Sequence, residues 1–559
     1  MSSATLRDYF PIFSQTQNKN WVYLDSAATS QKLKSVIDVT QDYYQERAVN
    51  VHRSSHQVAA SVTAEFEAAR TKVQQFIGAK SQNEIVWTKG ATESINLVAS
   101  GLAQSHFKTG DEIVISALEH HANIVPWQQL AQKLQLQLKV IPVDKSGVLK
   151  LSEALAQITK KTALVAVGHV SNALGNINPI AAIIEKAKSC GALTLIDGTQ
   201  AVSHLAVDVQ QLDCDFYLFS GHKMFGPTGI GVLYGKFALL EQLPPYQLGG
   251  EMIKKVSFSQ TTFQPPPLKF EAGTPNIAGV LALSAAVEFI QQHRRSIQKV
   301  ELELYQQLHS ALQAIPEITL WGEKQNSISV QSFTVKNVNQ YDLAVLLDKR
   351  HVAIRVGHHC AMPLMETLGI EGTVRVSIGP YNTSQEIQLF IAALTESIAV
   401  LKAPDKTQQV SMAEGDEVSA EPHSLPLANS IKQAKSWDQT YRLLMLAGKK
   451  LVRLENQLKT PDTEVQGCES QVWVSCEFER NQLILSGDSP SKIVRGLLAV
   501  LFEVLATKTP QQVLSFDLAA YLEQLSLGRH LSQSRGNGLT AVVNKITQNC
   551  ADYCENQEC

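Results

Sequence analysis

The sequence lacks the long apolar runs and the charge runs that mark several large classes of protein. No stretch of about 18 consecutive apolar residues occurs, so no segment is predicted to span a membrane. The first ten residues lack an apolar core and a small-residue cleavage site, so they are not predicted to be a signal peptide. The net charge is only -3 and no long basic run occurs, which argues against nucleic acid and anionic membrane surfaces as partners. We therefore expect a soluble, cytoplasmic protein.

Cysteine is scarce for a chain of this length. Eight thiols in 559 residues do not form the disulfide framework of a small secreted domain, so we predict that they are free. Their distribution is uneven, because Cys550, Cys554 and Cys559 crowd the C-terminal end. The spacing of these three matches no strong metal-binding signature, and no metal site is predicted.

The length of the chain predicts two or three domains, because it exceeds what one compact core normally holds. Residues 403–429 are polar, acidic and interrupted by proline, with neither helical nor strand periodicity, which is typical of a flexible linker. We therefore predict a large domain at 1–402 and a smaller one at 430–548. A short cysteine-containing tail follows at 549–559.

The large domain alternates short apolar runs with helical patterns, which predicts an α/β fold with a mostly parallel sheet. Five of the apolar runs lead directly into polar segments. Open α/β sheets bind ligands beyond the carboxyl ends of their strands. Strand ends can be polar merely because they face water, but five in succession favour a binding site. The five predicted strands are residues 84–88, 112–116, 163–167, 192–196 and 215–219.

The smaller domain has an α+β pattern. It opens with apolar residues spaced three and four apart, from Ile431 through Tyr441 to Leu444, which predicts a helix. Two strand-like runs follow at 472–476 and 482–486. The predicted helices after them are residues 493–506, 518–525 and 539–546.

Two charged residues follow consecutive predicted strands of the large domain. Asp197 comes after residues 192–196, and Lys223 comes shortly after residues 215–219. A lysine that forms a Schiff base and a carboxylate that keeps a pyridine nitrogen protonated are what pyridoxal phosphate (PLP) requires of a protein. Each residue alone has a simpler interpretation, since Lys223 could lie on the surface and Asp197 could cap a helix. Together they indicate a PLP site.

The same strand ends provide the remaining parts of such a site. A phosphate group binds hydroxyls and the N–H groups at the start of a helix. Thr92 lies at the start of a predicted helix, and Ser220 and His222 come just before Lys223. His120 is placed to stack on the pyridine ring.

Cys360 follows two histidines in a turn that contains glycine. A free thiol is only a few per cent thiolate at neutral pH, so a nucleophilic cysteine benefits from cationic neighbours. Arg355, His358 and His359 are close in sequence and are predicted to supply that charge. The alternative is that Cys360 is simply a small buried apolar residue.

These motifs, in this order and spacing, resemble the group II (SufS/CsdA-like) cysteine desulfurases of the class V aminotransferase family. Those are fold type I PLP enzymes, which implies a large domain with a mostly parallel seven-stranded sheet and a small α/β domain. The resemblance covers about residues 5 to 402. Val356 and the run Ile378-Gly-Pro380 depart from the family pattern without removing a group that the chemistry needs. The motifs that carry the resemblance are Tyr23-Leu-Asp-Ser-Ala-Ala28, Val51-His-Arg53, Glu119-His-His-Ala-Asn123, Asp197-Gly-Thr-Gln200, Ser220-Gly-His-Lys223, Phe270-Glu-Ala-Gly-Thr-Pro-Asn276, Arg355-Val-Gly-His-His-Cys360 and Tyr381-Asn382.

The resemblance implies a role for each matching residue. Lys223 holds PLP covalently and moves a proton at the substrate Cα, and Cys360 is the nucleophile that takes the sulfur. The family arrangement is a homodimer in which Thr274 reaches the phosphate bound by the other subunit. The other implied roles are Asp197 on the pyridine nitrogen, Gln200 on the phenolic oxygen, His120 on the ring face, Thr92, Ser220 and His222 on the phosphate, and Asn172, Arg375 and Arg355 on the substrate.

A second thiol lies in the smaller domain. Cys468 falls on a predicted turn before a strand, in a segment that resembles SufE/CsdE, the sulfur-acceptor proteins of the same pathway, over about residues 430 to 548. The resemblance implies that Cys468 accepts the persulfide and that Arg535 helps to hold its anion. The alternative is a buried turn cysteine.

The combined resemblance implies a cysteine desulfurase that converts L-cysteine to L-alanine. Its sulfur would pass from Cys360 to Cys468, and then to scaffold proteins of iron–sulfur cluster assembly. Two alternatives stay open at this point. One is selenocysteine lyase activity on the same framework, and the other is a scaffold without catalytic activity whose His358-His359-Cys360 run binds a metal or a cluster.

Overall fold

The computed structural model describes residues 5–18, 20–53, 55–402, 425–434, 437–467, 470–479, 482–525, 527 and 533–557. The chain divides into two compact units. The first is formed by Met1–Lys336 and Leu346–Ser397, and the second by Asn337–Val345 and Ile398–Cys559.

Strands and helices alternate along the first unit, and the bounds given next are those of the strands and helices of both units. The strands are β1 (Val22–Tyr23), β2 (Ile85–Thr88), β3 (Glu112–Ser116), β4 (Gln137–Ile141), β5 (Thr162–Gly168), β6 (Leu193–Asp197), β7 (Phe216–Ser220), β8 (Gly231–Gly235), β9 (Ile253–Val256), β10 (Thr261–Phe263), β11 (Ile318–Trp321), β12 (Val330–Val335), β13 (Val352–Ala353), β14 (Arg355–Gly357), β15 (Thr373–Ser377), β16 (Trp473–Glu479) and β17 (Gln482–Asp488). The helices are α1 (Lys34–Glu46), α2 (Gln57–Phe76), α3 (Ala91–Ser105), α4 (Val125–Leu134), α5 (Leu151–Gln157), α6 (Ile180–Cys190), α7 (Val209–Leu212), α8 (Phe237–Gln242), α9 (Ile277–Gln313), α10 (Gln340–Asp348), α11 (Met362–Leu368), α12 (Ser384–Lys402), α13 (Pro426–Gln433), α14 (Trp437–Lys450), α15 (Lys492–Leu505), α16 (Pro510–Val513), α17 (Leu518–Gln524) and α18 (Gln533–Gln557).

A seven-stranded sheet forms the centre of the first unit, in the order β2-β8-β7-β6-β5-β3-β4. Strands β7, β6, β5, β3 and β4 run parallel, and β8 is antiparallel to both of its neighbours. Apolar residues from its two faces belong to two buried clusters, and β2, β3, β7 and β8 are buried along their whole length. Strands that are buried on both faces appear in the sequence as largely apolar runs. The structure confirms the predicted α/β fold with a mostly parallel seven-stranded sheet.

Two strands of this sheet were not predicted individually. Strand β4 lies at the edge of the sheet, and its five residues are mostly partly exposed, so its sequence has no continuous apolar run. Strand β8 begins and ends with glycine. At its first residue, Gly231, a Cβ would lie 2.5 Å from the Cα of Gly90, so the chain needs glycine there for the two backbones to approach.

A second sheet in the first unit is antiparallel and has four strands in the order β11-β12-β15-β14. It places Arg355 of β14 directly opposite Arg375 of β15. Two like charges at facing positions destabilise a strand pair, which is a first indication that these residues serve a function.

The second unit combines helices with the antiparallel hairpin of β16 and β17, in line with the predicted α+β pattern. The single helix predicted from Ile431 to Leu444 is two helices, α13 and α14. Residue Ala434 is extended after α13, which ends the first helix although the apolar spacing continues.

The domain boundaries proposed from the sequence differ in detail from the observed elements. Helix α13 begins at Pro426, inside the segment 403–429 that was predicted to be a linker, and proline is favoured in a first helical turn. Residues 403–424 of that linker lie outside the described residues. Helix α18 continues past the predicted start of the tail at residue 549 and includes Cys550 and Cys554. Among the helices that the structure describes, none is both long and apolar enough to cross a lipid bilayer.

Helices α14 and α15 pack closely through glycine, which generates a stability prediction. A Cβ at Gly496 would lie 2.2 Å from the carbonyl oxygen of Leu444. We expect Gly496→Ala to lower the free energy of unfolding of the second unit by about 2 kcal/mol, because the helices must separate. The matched control is Gly536→Ala in α18, where, outside the backbone of the helix itself, no atom of the described residues lies within 4 Å of the added Cβ. That substitution should stabilise by about 0.5 kcal/mol. Urea unfolding of both variants measures the difference, and equal midpoints would contradict the predicted packing.

Candidate functional site

One cavity lies where strands β5, β6 and β7 end and helix α3 begins, with a volume of about 210 Å³. Parallel strands deliver the residues at their carboxyl ends to the same edge of a sheet, so residues distant in sequence converge there. Nine residues predicted from the sequence line it, namely Thr92, His120, Asn172, Asp197, Gln200, Ser220, His222, Lys223 and Arg355.

Lys223 lies in the short helical turn Gly221–Lys223 that follows β7. Burial, together with the positive charges of Arg375 and Arg355, lowers the pKa of Lys223 from 10.5 to about 8, although Asp197 acts in the opposite direction. An amine with this pKa is neutral in an appreciable fraction of molecules at neutral pH. It can therefore form a covalent bond with an aldehyde.

Asp197 is the last residue of β6, and its carboxylate accepts a hydrogen bond of 2.9 Å from the N–H of Thr199. Burial raises the pKa of Asp197, while the hydrogen bonds from Thr199 and the charge of Lys223 lower it only in part. A buried carboxylate of this kind gains from a cationic partner. A protonated pyridine nitrogen is such a partner, so the residue fits its predicted role.

The start of helix α3 forms a cradle suited to an anion. The Oγ of Ser220 accepts a hydrogen bond of 2.9 Å from the N–H of Ala91, which directs the hydroxyl proton of Ser220 towards other acceptors. Thr92 is the second residue of this 15-residue helix, so its N–H is among those without an intrahelical partner. The donor set therefore fits a phosphate group, which helix N-termini favour.

The two histidines of the cavity are neutral. Burial and the charge of Lys223 lower the pKa of His120 to about 4, and its Nδ1 accepts a hydrogen bond of 3.1 Å from the N–H of Ala122. Burial and the charges of Lys223 and Lys32 likewise lower the pKa of His222 to about 4. The ring of His120 can therefore stack on an aromatic cofactor without adding charge, and it retains one N–H proton. Together these groups fit PLP.

Arg375 is buried, with 1% of its surface exposed, and lies beside the cavity. Its guanidinium donates to the carbonyl oxygen of Asn172 at 2.8 Å and forms an ion pair of 2.9 Å with Asp25. Its Nε has no hydrogen-bond partner among the described residues. An arginine with an unused donor in a site containing Arg355 and Lys223 is suited to a substrate carboxylate.

Cys360 lies beside the same cations. Its Sγ is 3.6 Å from an Nη of Arg355, within the limit for a hydrogen bond to sulfur. The backbone at His359 and Cys360 is left-handed, with φ of 52° and 57°, a conformation that residues other than glycine rarely adopt. The turn is therefore short and specifically held.

The prediction that histidines supply positive charge to Cys360 is wrong. The ring of His359 is buried and its Nε2 lies 2.9 Å from the Oγ1 of Thr373. Burial and the nearby arginines Arg375 and Arg355 hold the pKa of His359 well below its ordinary value. The pKa of His358 is also lowered by burial and by Arg355. Arg355 is thus the cation that faces the thiol.

Two acidic residues of the site had no predicted role, although both lie within motifs quoted above. Asp25 holds Arg375 in place, as described. Burial raises the pKa of Glu119 to about 7, and its carboxylate accepts hydrogen bonds from Asn123 at 2.6 Å and from the N–H of Gly168 at 3.0 Å. Glu119 therefore connects the segment before His120 to the end of β5. Apolar periodicity carries no signal for such contacts.

Cys360 and Arg375 lie beside this cavity, as described above, and the described part of the chain does not place three other predicted residues at the site. Thr274 is exposed and does not line it. Cys468 lies outside the described residues, and so does the side chain of Arg535. Their roles stay predictions. Within the described part of the chain, no group of three or more His, Cys, Asp or Glu residues is arranged to hold a metal ion.

Comparison with known proteins assigns both parts of the chain. The Aminotransferase class-V family matches residues 22–390, and the SufE family (Fe-S metabolism associated domain) matches residues 426–550. The chain is 47% identical over 398 residues to a probable cysteine desulfurase of Vibrio cholerae, which covers 71% of this chain and 98% of that relative. It is 46% identical over 391 residues to a cysteine desulfurase of Synechococcus elongatus, over 70% of this chain and 62% of that one. The fold also matches a crystal structure of the cysteine desulfurase CsdA of Escherichia coli in an S-sulfonic acid form, with a TM-score of 0.66 and 41% sequence identity. The match covers 71% of this chain and 98% of that one.

The lowered pKa of Lys223 generates a prediction about cofactor loading. Since the amine must be neutral to react, the rate at which PLP attaches to cofactor-free protein should rise with pH and reach a plateau, with a midpoint near pH 8. An ordinary lysine would place that midpoint near 10.5. The measurement is recovery of protein-bound cofactor absorbance in stopped flow, with Lys223→Arg as the control that should not load covalently. A midpoint above pH 10 would contradict the electrostatic description of the site.

Proposed function

We propose that the chain is a PLP-dependent cysteine desulfurase with a fused sulfur acceptor. It belongs to the Aminotransferase class-V family and carries a C-terminal SufE domain. It converts L-cysteine to L-alanine and passes the sulfur from Cys360 to the SufE-type domain. The observation that carries this function is the position of the Cys360 thiol, 3.6 Å from Arg355 in a site that also contains Lys223 and Asp197. A plain aminotransferase has no use for that thiol.

When bound, PLP supplies an electron sink for bonds at the substrate Cα. Lys223 would hold the cofactor through its amine, and the same amine would move the proton at the substrate Cα. Asp197 would keep the pyridine nitrogen protonated, Gln200 would bond the phenolic oxygen and His120 would stack on the ring. Thr92, Ser220 and His222 would hold its phosphate.

The substrate is held by its carboxylate. Arg375 supplies its unused Nε–H donor and its positive charge. Asn172 lies next to Arg375, and its backbone carbonyl accepts a hydrogen bond from that guanidinium. Arg355 adds a second charge from the facing strand. These contacts with the carboxylate orient the bound amino acid so that its side-chain sulfur can face Cys360.

The thiolate of Cys360 attacks the sulfur of the bound cysteine. A sulfur–sulfur bond forms as the Cβ–sulfur bond breaks. The electron pair of the broken bond stays with the amino acid, which takes up a proton and leaves as alanine. Cys360 then carries a persulfide, and Arg355 stabilises the thiolate that starts the reaction.

The persulfide moves on to the second thiol. The thiolate of Cys468 attacks the outer sulfur on Cys360, and Cys360 leaves as a thiolate, so no external oxidant or reductant is needed. A flexible chain as long as the segment 403–424 that precedes α13, about 22 residues, would have an r.m.s. reach of about 25 Å. Tethering of this kind gives an effective concentration of about 1 mM. Arg535 helps to hold the persulfide anion.

The cellular setting follows from the same assignment. The chain forms a homodimer in which the exposed Thr274 completes the phosphate site of the other copy. The sulfur is delivered in the cytoplasm to scaffold proteins that assemble iron–sulfur clusters.

The first test is alanine formation from cysteine by the PLP-loaded protein. Cys360→Ser should lower the rate at least about 100-fold, because a hydroxyl is a far weaker nucleophile than a thiolate. Cys190→Ser, which alters a partly exposed thiol, should leave the rate unchanged. Assaying the Cys360→Ser variant with selenocysteine separates the alternative, because a selenocysteine lyase can tolerate the loss of this thiol. Normal alanine formation from cysteine by that variant would reject the proposed function.

A second prediction concerns substrate binding. Arg375→Lys removes the planar, multidentate donor and should raise the KM for cysteine by about 10- to 100-fold. Arg350→Lys is the matched control, since Arg350 forms a surface ion pair with Glu396 at 3.3 Å and surface pairs contribute little. Steady-state kinetics of both variants provide the measurement. An unchanged KM in Arg375→Lys would remove Arg375 from the substrate site.

A further inference from the structure

Helix α11 begins two residues after the nucleophile and lacks an N-terminal cap of its own. Its N-cap residue is Ala361, whose methyl group cannot accept a hydrogen bond. The N–H of Met362, the first residue of the helix, donates instead to the Nε2 of His121 at 3.0 Å. This partner is 241 residues away in the sequence.

The other backbone groups at the start of this helix do not need His121. Pro363 has no N–H. The N–H groups of Leu364 and Met365 donate to the carbonyl oxygen of Ala361 at 3.1 and 3.3 Å. The bond from Met362 is therefore the one that depends on His121.

A second bond runs in the opposite direction between the same segments. The N–H of His121 donates to the carbonyl oxygen of Cys360 at 2.8 Å. His121 thus bonds the backbone on both sides of Ala361, the residue that follows the nucleophile. On the other flank, the N–H of Cys360 donates to the Nδ1 of His358 at 3.1 Å, and the rings of His121 and His358 are 5.6 Å apart.

These bonds hold a backbone conformation that the chain would otherwise leave. His359 and Cys360 are both left-handed, which is unfavourable for residues with a Cβ and persists only where surrounding contacts enforce it. The bond from Met362 requires the Nε2 of His121 to be unprotonated, so the ring carries its single proton on Nδ1. Burial and the nearby His358 lower the pKa of His121, which favours this neutral form.

We propose that His121 is a positioning residue for the sulfur nucleophile. It fastens the Cys360 turn to the segment that presents the preceding residue, His120, to the cofactor site, and so fixes the thiol beside Arg355. The inference deepens the proposed function and rests on it.

Four variants test this role in the PLP-loaded full-length chain. His121→Leu removes the acceptor. In His121→Gln, the amide oxygen can occupy the position of Nε2 and accept from Met362. His121→Asn is equally polar but ends about one bond too short, and it replaces His121→Leu if that variant does not fold. His106→Leu is the matched control, because His106 is also partly buried and also bonds the backbone once, at Ala163.

Two measurements separate positioning from general stability. In His121→Leu and His121→Asn the N–H of Met362 loses its acceptor, which favours opening of the turn. Hydrogen exchange of a peptide containing Met362 should therefore become about tenfold faster in both variants. In both, kcat for alanine formation should fall about tenfold at nearly constant KM. His121→Gln should restore both, and His106→Leu should change neither. Absorbance of the bound cofactor should be the same in all four variants.

The opposite pattern overturns the inference. It fails if His121→Leu or His121→Asn exchanges and turns over as the wild-type chain does, or if His121→Gln is as impaired as they are. The proposed function fails separately, if the wild-type chain forms no alanine from cysteine. In that case hydrogen exchange of the Met362 peptide still decides whether His121 holds the turn.

Discussion

The site depends on opposite charges held out of water at the carboxyl ends of neighbouring parallel strands. Asp197 at the end of β6 and Lys223 just beyond β7 influence each other while burial acts against the charge of both. In a medium of low polarity such charges interact strongly and cannot be left without partners. The protein therefore presents an amine whose pKa is lowered and a carboxylate that gains from a bound cation. A cofactor with an aldehyde and a protonated ring nitrogen satisfies both.

The same surroundings decide how the thiol is activated. Histidines next to a cysteine suggest a positively charged neighbourhood, but here burial keeps His358 and His359 neutral at physiological pH. Their ring nitrogens instead make hydrogen bonds that shape the turn. Positive charge comes from Arg355, which faces Arg375 across two antiparallel strands. The unfavourable approach of these arginines is offset by the carboxylate of Asp25, and in the proposed function also by the Cys360 thiolate and a substrate carboxylate.

Much of this arrangement could be predicted from the sequence, because buried parallel strands appear as uninterrupted apolar runs. Five of the seven strands, and the residues at their carboxyl ends, were identified in this way. Strand β4 was missed because four of its five residues are exposed or partly exposed, so it has no continuous apolar run. The split between α13 and α14 was missed because apolar spacing continues across Ala434. Asp25 and His121 had no predicted role for a different reason. Their partners, Arg375 and Met362, are 350 and 241 residues away, and no local pattern encodes such a bond.

The central claim is that one sulfur atom passes through two thiols of the same chain in a fixed order. The most direct measurement is a single turnover with sulfur-labelled cysteine, stopped by thiol alkylation at successive times and read by mass spectrometry of the peptides that contain Cys360 and Cys468. Label should appear first at Cys360 and then at Cys468 as the first signal declines, and Cys360→Ser should leave Cys468 unlabelled. Label at Cys468 before Cys360, or at Cys468 in the Cys360→Ser variant, would contradict the relay.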